Sequence, residues 1–541
     1  MRYLTIILFS LCSIIPGLQA TNPDVFEPPD FNITAALLEQ GVDISQIPEL
    51  NTLQQHPTSS CQAACITLTH LYNTTNLLAP NTEPYQNTTA SYWSRQQTEP
   101  KPTCIFIPNS PKEISILILL ARLTNCPFAV TSGGHAAFAG ASNIQGGITV
   151  LLKNLNDLSL NNDKSIVSVG AGNRWIDVYK FLNPYGLAAV GSRDADIGVG
   201  GFITGGGISF YSNLYGLACD NVEVFEVITA RGTHIHATKT THPTLYRSLR
   251  GGGNNFGLIT RFHIRTIPSP NLLGGTRIYN ASHTPTLIQA LANVALSATA
   301  DPHAQQYLSF IVSNGKRLAC AELTYTKDSP STPPIFAEYR AIPALSDSTT
   351  SKSMVQYSVD VNGNNPSGLR EVYWAVSVIL DERFVSWVVG YFYEMFDGGG
   401  LGDVRGVNPA LVVHPFTGRM LGFMGRDGGN ALGLEDGGKG PLLVMQIACW
   451  WADGGDDGVV YEWVGGFWER VIAEAKRVGV YHEFVYMNYA SQFQDVVGGY
   501  GGASRRRLVD VARTYDPTGV FQRLQPGYFK LEGAPVGGGG R

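Results

Sequence analysis

The chain has 541 residues, enough for roughly two to four domain-sized units with their own cores, and carries a formal charge of -5 with only 15% charged residues. No basic stripe stands out, which excludes nucleic acid as the main partner. Glycine reaches 60 residues, and where those glycines cluster matters more than their number.

Residues Met1 to Ala20 read as a secretory signal: Arg2, an apolar run from Leu4 to Ile15, then Pro16 and a small-residue exit at Gln19-Ala20. The run is short for a membrane anchor, and no later stretch approaches bilayer length. The expectation is a soluble monomer, free of membrane, in the secretory pathway or outside the cell. Sequons at Asn32, Asn73, Asn87 and Asn280 agree with that compartment, although such triplets also arise by chance. Residues 21–57 form a Pro-rich, polar leader. Cys61, Cys65, Cys104 and Cys126 cluster early and are expected to pair in an oxidising lumen, in a pattern the sequence leaves open. Cys219, Cys320 and Cys449 read as buried apolar thiols. Cys61 and Cys65 lack a histidine pair at ligand spacing, so no metal is expected.

A mixed α/β region follows. Cys104 to Ile107 reads as a strand, and Ser110-Pro111-Lys112-Glu113 opens a helix to about Asn125, with a capping serine and a glutamate three residues on. Phe128 to Val130 returns as a strand and delivers Thr131-Ser-Gly-Gly-His135. Glycines there let backbone N–H groups close around anionic oxygens. The histidine adds a neutral, nucleophilic imidazole that a phosphate loop does not need; the plainer alternative is a hydrogen-bonded loop residue.

Strands at Ile148 to Leu152 and Ile166 to Val169 precede a helix from about Arg174 to Leu182. The stretch Gly198 to Gly207 then reads as a packed loop, because so many glycines are costly in a regular element and Val199, Phe202, Ile203 and Ile208 want burial. It is not a nicotinamide fingerprint, since Ile203 occupies the sixth position counted from Gly198. A third glycine cluster, Arg250 to Ile259, precedes a strand from Thr260 to Ile267. Three such clusters imply one extended ligand wedged between subdomains. Beyond Pro268, strands such as Tyr307 to Val312 and Leu442 to Cys449 alternate with helices such as Tyr461 to Val478. Strand alternation puts Gln446 and Trp450 on one face with Val444 and Ala448, either toward substrate or as one side of an ordinary sheet.

The motifs TSGGHAAFAG, GVGGFITGGGISF, LRGGGNNFGLIT, YMNYASQFQD and YDPTGVFQRLQPGYFK, in that order from Cys61 to Lys530, resemble the berberine-bridge-enzyme-like flavoproteins with a vanillyl-alcohol-oxidase (PCMH) type FAD domain, and most closely their secreted fungal members. The resemblance implies an α+β fold: a two-subdomain FAD-binding domain over 58–268, a substrate domain over 269–480 with a large antiparallel sheet covered by helices, and a segment over 481–541 returning to the flavin. It implies FAD bound covalently through His135, cradled by Thr131, Ser132, Gly133, Gly134 and Ala136 and by Gly198, Gly200, Gly201, Thr204 and Gly205, with Ile259 toward the adenine. Many relatives add a second bond from a cysteine where this chain has Asp194; a carboxylate cannot form that thioether, so attachment through His135 only is expected. Ile197 occupies the position that governs oxygen access in the family, and its bulk argues against fast oxidase behaviour. Tyr489 is the implied base, Tyr486 its helper, and Asn488 an orienting group, although tyrosines three apart on a regular strand would face opposite ways.

The resemblance thus implies a small-molecule substrate, oxidised at an alcohol, amine or activated carbon, with oxygen or another acceptor taking the electrons. Natural-product tailoring is the leading expectation and carbohydrate oxidation the alternative; a flavin-carrying glycoprotein without turnover is the rival from outside enzymology.

Overall fold

The computed structural model describes residues 26–50, 60–329, 332–435 and 440–536. The expected signal segment and the two ends of the leader, 21–25 and 51–57, lie outside those residues, while the rest of the leader carries the helix Ile33–Glu39.

Among the described residues, strands gather into three sheets. The first has four strands, in the order Leu77–Leu78, Cys104–Phe106, Ile148–Leu151 and Phe128–Thr131, the last three parallel. Parallel neighbours need a crossover, which the helix Pro111–Leu123 supplies. Its start follows the sequence signal: the Ser110 side chain accepts from the Glu113 N–H, and Glu113 reaches back to the Asn109 N–H. The helix ends at Leu123 because Thr124 and Asn125 close it, Asn125 with positive φ. Disulfides Cys61–Cys126 and Cys65–Cys104 tie the helix Cys61–Asn76 to this sheet. All four early cysteines are paired, as expected.

The second sheet has six antiparallel strands. Leu258–Pro268 is its centre, flanked by Ile166–Gly170 and Val222–Ile228, with His234–Ala237 at one edge. Between these two sheets runs the glycine-dense stretch, and here the structure corrects the expected loop: Val199–Thr204 is helical, with Gly198 as its N-cap. At that N-cap only glycine fits, because a side chain at Gly198 would collide with the Gly133 backbone.

The third sheet has nine strands, all antiparallel, with Leu272–Asn280, Lys316–Tyr325, Ala304–Ser313, Asn408–Phe416, Leu442–Trp451 and Arg370–Ile379 side by side. Alternation gives it two characters. Leu308, Phe310, Ala321, Val372, Leu411, Val413, Met445 and Ile447 face a core closed by the helices Glu382–Asp397 and Asp457–Val478. Tyr307, Ala410, Val412, Gln446, Ala448, Trp450 and Tyr373 face a cavity shared with the two smaller sheets instead. The C-terminal segment returns across that boundary: the Phe128 N–H bonds Leu524 O at 2.6 Å, and Asn255 Nδ2 bonds Phe529 O at 2.9 Å.

One residue of this face is out of place energetically. Glu371 is 1% exposed, with neither carboxylate oxygen hydrogen-bonded, and burial pushes its pKa from 4.5 up to about 9. An acid raised on folding is protonated in the native chain and ionised in the unfolded one, so its stability contribution is full below 4.5 and declines until about 9. Glu371→Gln should remove that dependence and stabilise the protein at pH 7 by roughly 2–3 kcal/mol, read as a flatter unfolding-temperature profile across that range.

Candidate active site

A cavity of about 960 Å³ lies between the two halves, and the three glycine clusters open onto it. At its centre two of them touch. A Cβ on Gly133 would sit 2.3 Å from Gly198 N, and one on Gly198 would sit 2.1 Å from Gly133 N. Only bare backbone permits that approach. Ser132 locks it, its hydroxyl accepting from Gly200 N at 3.1 Å and donating to Ala171 O at 2.7 Å. Gly198→Ala should therefore prise the loops apart and yield protein with little or no bound flavin, visible as lost absorbance at unchanged expression.

His135 projects from this turn. Its ring stacks on Trp93 with centroids 4.0 Å apart, and Trp93 in turn stacks on Tyr373. Burial lowers its pKa to about 4, so the imidazole is neutral near pH 7, and its Nε2 is buried without a partner. An orphaned nitrogen is costly unless a bound group contacts it.

The other expected cofactor residues divide. Ser132, Gly133, Gly134, His135, Ala136, Asp194, Ile197, Gly198, Gly200, Gly201, Thr204, Ile259 and Asn488 line the cavity. Thr131 and Gly205 do not. Thr131 is turned behind the wall, donating to Ser142 O at 2.6 Å and pairing with the Tyr92 hydroxyl at 3.0 Å. Gly205 lies beneath Asn488, leaving no room for a side chain of its own. Asp194 is buried, which raises its pKa, and accepts from Asn365 at 2.6 Å. Cys320 departs from the apolar-thiol expectation, being half-buried on the cavity wall.

The tyrosines come together because their segment bends: Met487–Tyr489 is a 3-10 turn, so both reach the cavity despite their spacing. Their rings meet edge-on, 4.8 Å apart. Their hydroxyls do different things. That of Tyr486 accepts from Gly207 N and Ile208 N at 3.1 and 2.9 Å and from Asn488 at 3.2 Å, which ties it to the glycine stretch. Asn488 also donates to Phe202 O at 3.0 Å.

The Tyr489 hydroxyl accepts from the Arg193 guanidinium, a partner the sequence reading missed. Arg193 also donates to His414 Nδ1 at 3.3 Å and lies over the Tyr307 ring at 4.7 Å. Burial opposes its charge, but Tyr489, Tyr307, Tyr486 and Glu322 together outweigh burial and raise its pKa. His414 stays neutral, its pKa driven well down by burial and by Arg193. No carboxylate among the described residues forms an ion pair with Arg193. On the sheet, Gln446 and Trp450 do line the cavity, and Gln446 Oε1 is buried without a partner.

The residues fit FAD: backbone cradles where a Cβ cannot stand, an unpartnered neutral imidazole, and a tyrosine held by a buried cation across the same cavity. This arrangement defines a flavin-dependent oxidoreductase. The FAD binding domain family matches residues 102–238. The chain is 33% identical over 494 residues to FAD-dependent monooxygenase FUP4 of Fusarium proliferatum, covering 87% of this chain and 95% of that one. It is 35% identical over 451 residues to FAD-dependent monooxygenase tpcD of Cochliobolus heterostrophus, covering 81% and 87%. The fold matches a single-residue variant of berberine bridge enzyme with TM-score 0.69 at 17% identity, over 84% of this chain and 98% of that one. It matches 6-hydroxy-D-nicotine oxidase of Arthrobacter nicotinovorans with TM-score 0.68 at 21% identity, over 83% and 96%. The chain belongs to the FAD-dependent oxidoreductase family of these fungal relatives, and it shares the fold of berberine bridge enzyme.

Proposed function

We propose that the protein is a secreted enzyme that oxidises an alcohol, amine or activated C–H carbon of a small aromatic or hydrophobic natural product, with FAD attached through His135 alone. Bound in this cavity, FAD supplies the two-electron acceptor, to be reoxidised by oxygen or another acceptor. The observation that carries the reading is the Arg193–Tyr489 contact on the cavity wall. A phenol acts as a base through its anion, and a guanidinium donating to its oxygen stabilises that anion as a proton is taken from substrate. Gln446 Oε1 offers an acceptor to a substrate donor.

The floor beneath these groups, formed by Tyr307, Ile311, Ala410, Val412, Ala448 and Trp450, supports a flat apolar substrate over a sugar. The two disulfides support an oxidising compartment, and no described helix is long and apolar enough to cross a membrane. The absorbance of the purified flavoprotein, followed anaerobically with phenolic alcohols, amines and oligosaccharides, tests this reading. Bleaching by an aromatic substrate supports it; bleaching only by sugars overturns the substrate class, and no bleaching overturns the hydride transfer. The monooxygenase names of the relatives at 33% and 35% identity favour a second reading, oxygen insertion. Labelled dioxygen separates the two, since insertion leaves the label in the product.

A further inference from the structure

The solvent face of the six-stranded sheet, away from the cavity, carries a cluster that the redox chemistry does not use. His234 and His236 lie on the edge strand His234–Ala237, and alternation sends both to one face while Ile235 packs against the core. Register places Glu226 of the neighbouring strand opposite His236. One ligand atom from each of Glu226, His234 and His236 lies within 4.8 Å of the other two. His234 Nε2 is 3.3 Å from Glu226 Oε2.

The other carboxylate oxygen is already oriented. His263, on the next strand, holds Nε2 at 2.9 Å from Glu226 Oε1, while its Nδ1 lies 2.8 Å from the Ser168 hydroxyl. With the serine donating to Nδ1, His263 donates from Nε2 to the carboxylate, the outer support that metal-binding carboxylates use. Arg261 Nε approaches Oε1 at 3.8 Å, on the His263 side, and leaves Oε2 to the two histidines.

We propose that Glu226, His234 and His236 form a surface site for one zinc ion, with water completing the shell. Two imidazole nitrogens and one carboxylate oxygen are a zinc set; bonds of about 2.0–2.2 Å require only side-chain rotation from the present spacing. Calcium and magnesium, which prefer all-oxygen shells, suit it poorly. The ion would clamp the edge strand to its neighbour. The sequence expectation of no metal rested on cysteine spacing, and a glutamate eight residues before His234 gave no local signal.

The test uses the flavin-loaded protein after treatment with chelator. Zinc chloride titrated in a calorimeter should bind at one equivalent and raise the unfolding temperature, while calcium chloride should do neither. His236→Gln and His234→Gln should each weaken zinc binding at least tenfold while keeping wild-type flavin absorbance, which certifies the fold. Absence of a one-equivalent zinc event in the wild type overturns the site, as does undiminished binding in both variants.

Discussion

His135→Ala should yield protein whose flavin is washed away by acid precipitation, whereas the wild-type pellet should stay yellow. The fraction of flavin travelling with the chain is expected to fall from nearly all to nearly none, and an FAD-sized mass on the His135 peptide of the wild type is the companion measurement. Three features converge on this outcome. The imidazole is neutral because burial lowers its pKa to about 4, so its lone pair is available near pH 7. Its Nε2 is buried without a partner, and Trp93, stacked at 4.0 Å, fixes the ring plane. Asp194 provides the control: a carboxylate bonded to Asn365 offers no sulfur for a second linkage, so Asp194→Asn should leave the amount of attached flavin unchanged. Pigment released from the wild type by acid would contradict attachment through His135 while leaving the FAD-type fold untouched.

What could be read from the sequence was local. The His135 turn was legible because glycines, a histidine and the preceding strand are adjacent in the chain, and the same holds for the Ser110 cap. The helix Val199–Thr204 was not, because the constraint that fixes glycine at its N-cap, Gly198, is the backbone of Gly133, far back in the chain. Thr131 and Gly205 were assigned to the cofactor by motif membership, yet a motif does not say which of its residues face a ligand. Arg193, Tyr307, His414 and Glu371 escaped notice for the complementary reason. The first three meet, and Glu371 is buried, only after the nine-stranded sheet has assembled, and nothing in their own segments announces a site. One clue was present: Arg193-Asp194-Ala195-Asp196 puts three charges immediately before the glycine stretch of a chain with 15% charged residues.

In the proposed reaction, Arg193 also decides what kind of base Tyr489 would be. Tyr489→Phe removes the only atom of that side chain able to hold a proton while keeping the ring against Tyr486, so turnover should fall by about 10²–10⁴-fold with flavin content intact. Arg193→Met should approach the same loss, because the phenol then keeps its position without the cation that stabilises its anion. Arg193→Lys should recover part of the rate, since charge alone supplies part of that stabilisation, but not all, because one ammonium cannot reproduce the separate bonds to Tyr489 and His414. Tyr486→Phe should behave differently. It strands the Gly207 and Ile208 N–H groups, costing stability of about 1–3 kcal/mol with a smaller effect on kcat. Stopped-flow reduction of the flavin reads the chemical step, and thermal unfolding reads the structural one. If Arg193→Met and Arg193→Lys reduce the flavin at equal rates, the guanidinium acts by shape rather than charge, and the proton must leave the substrate by another route.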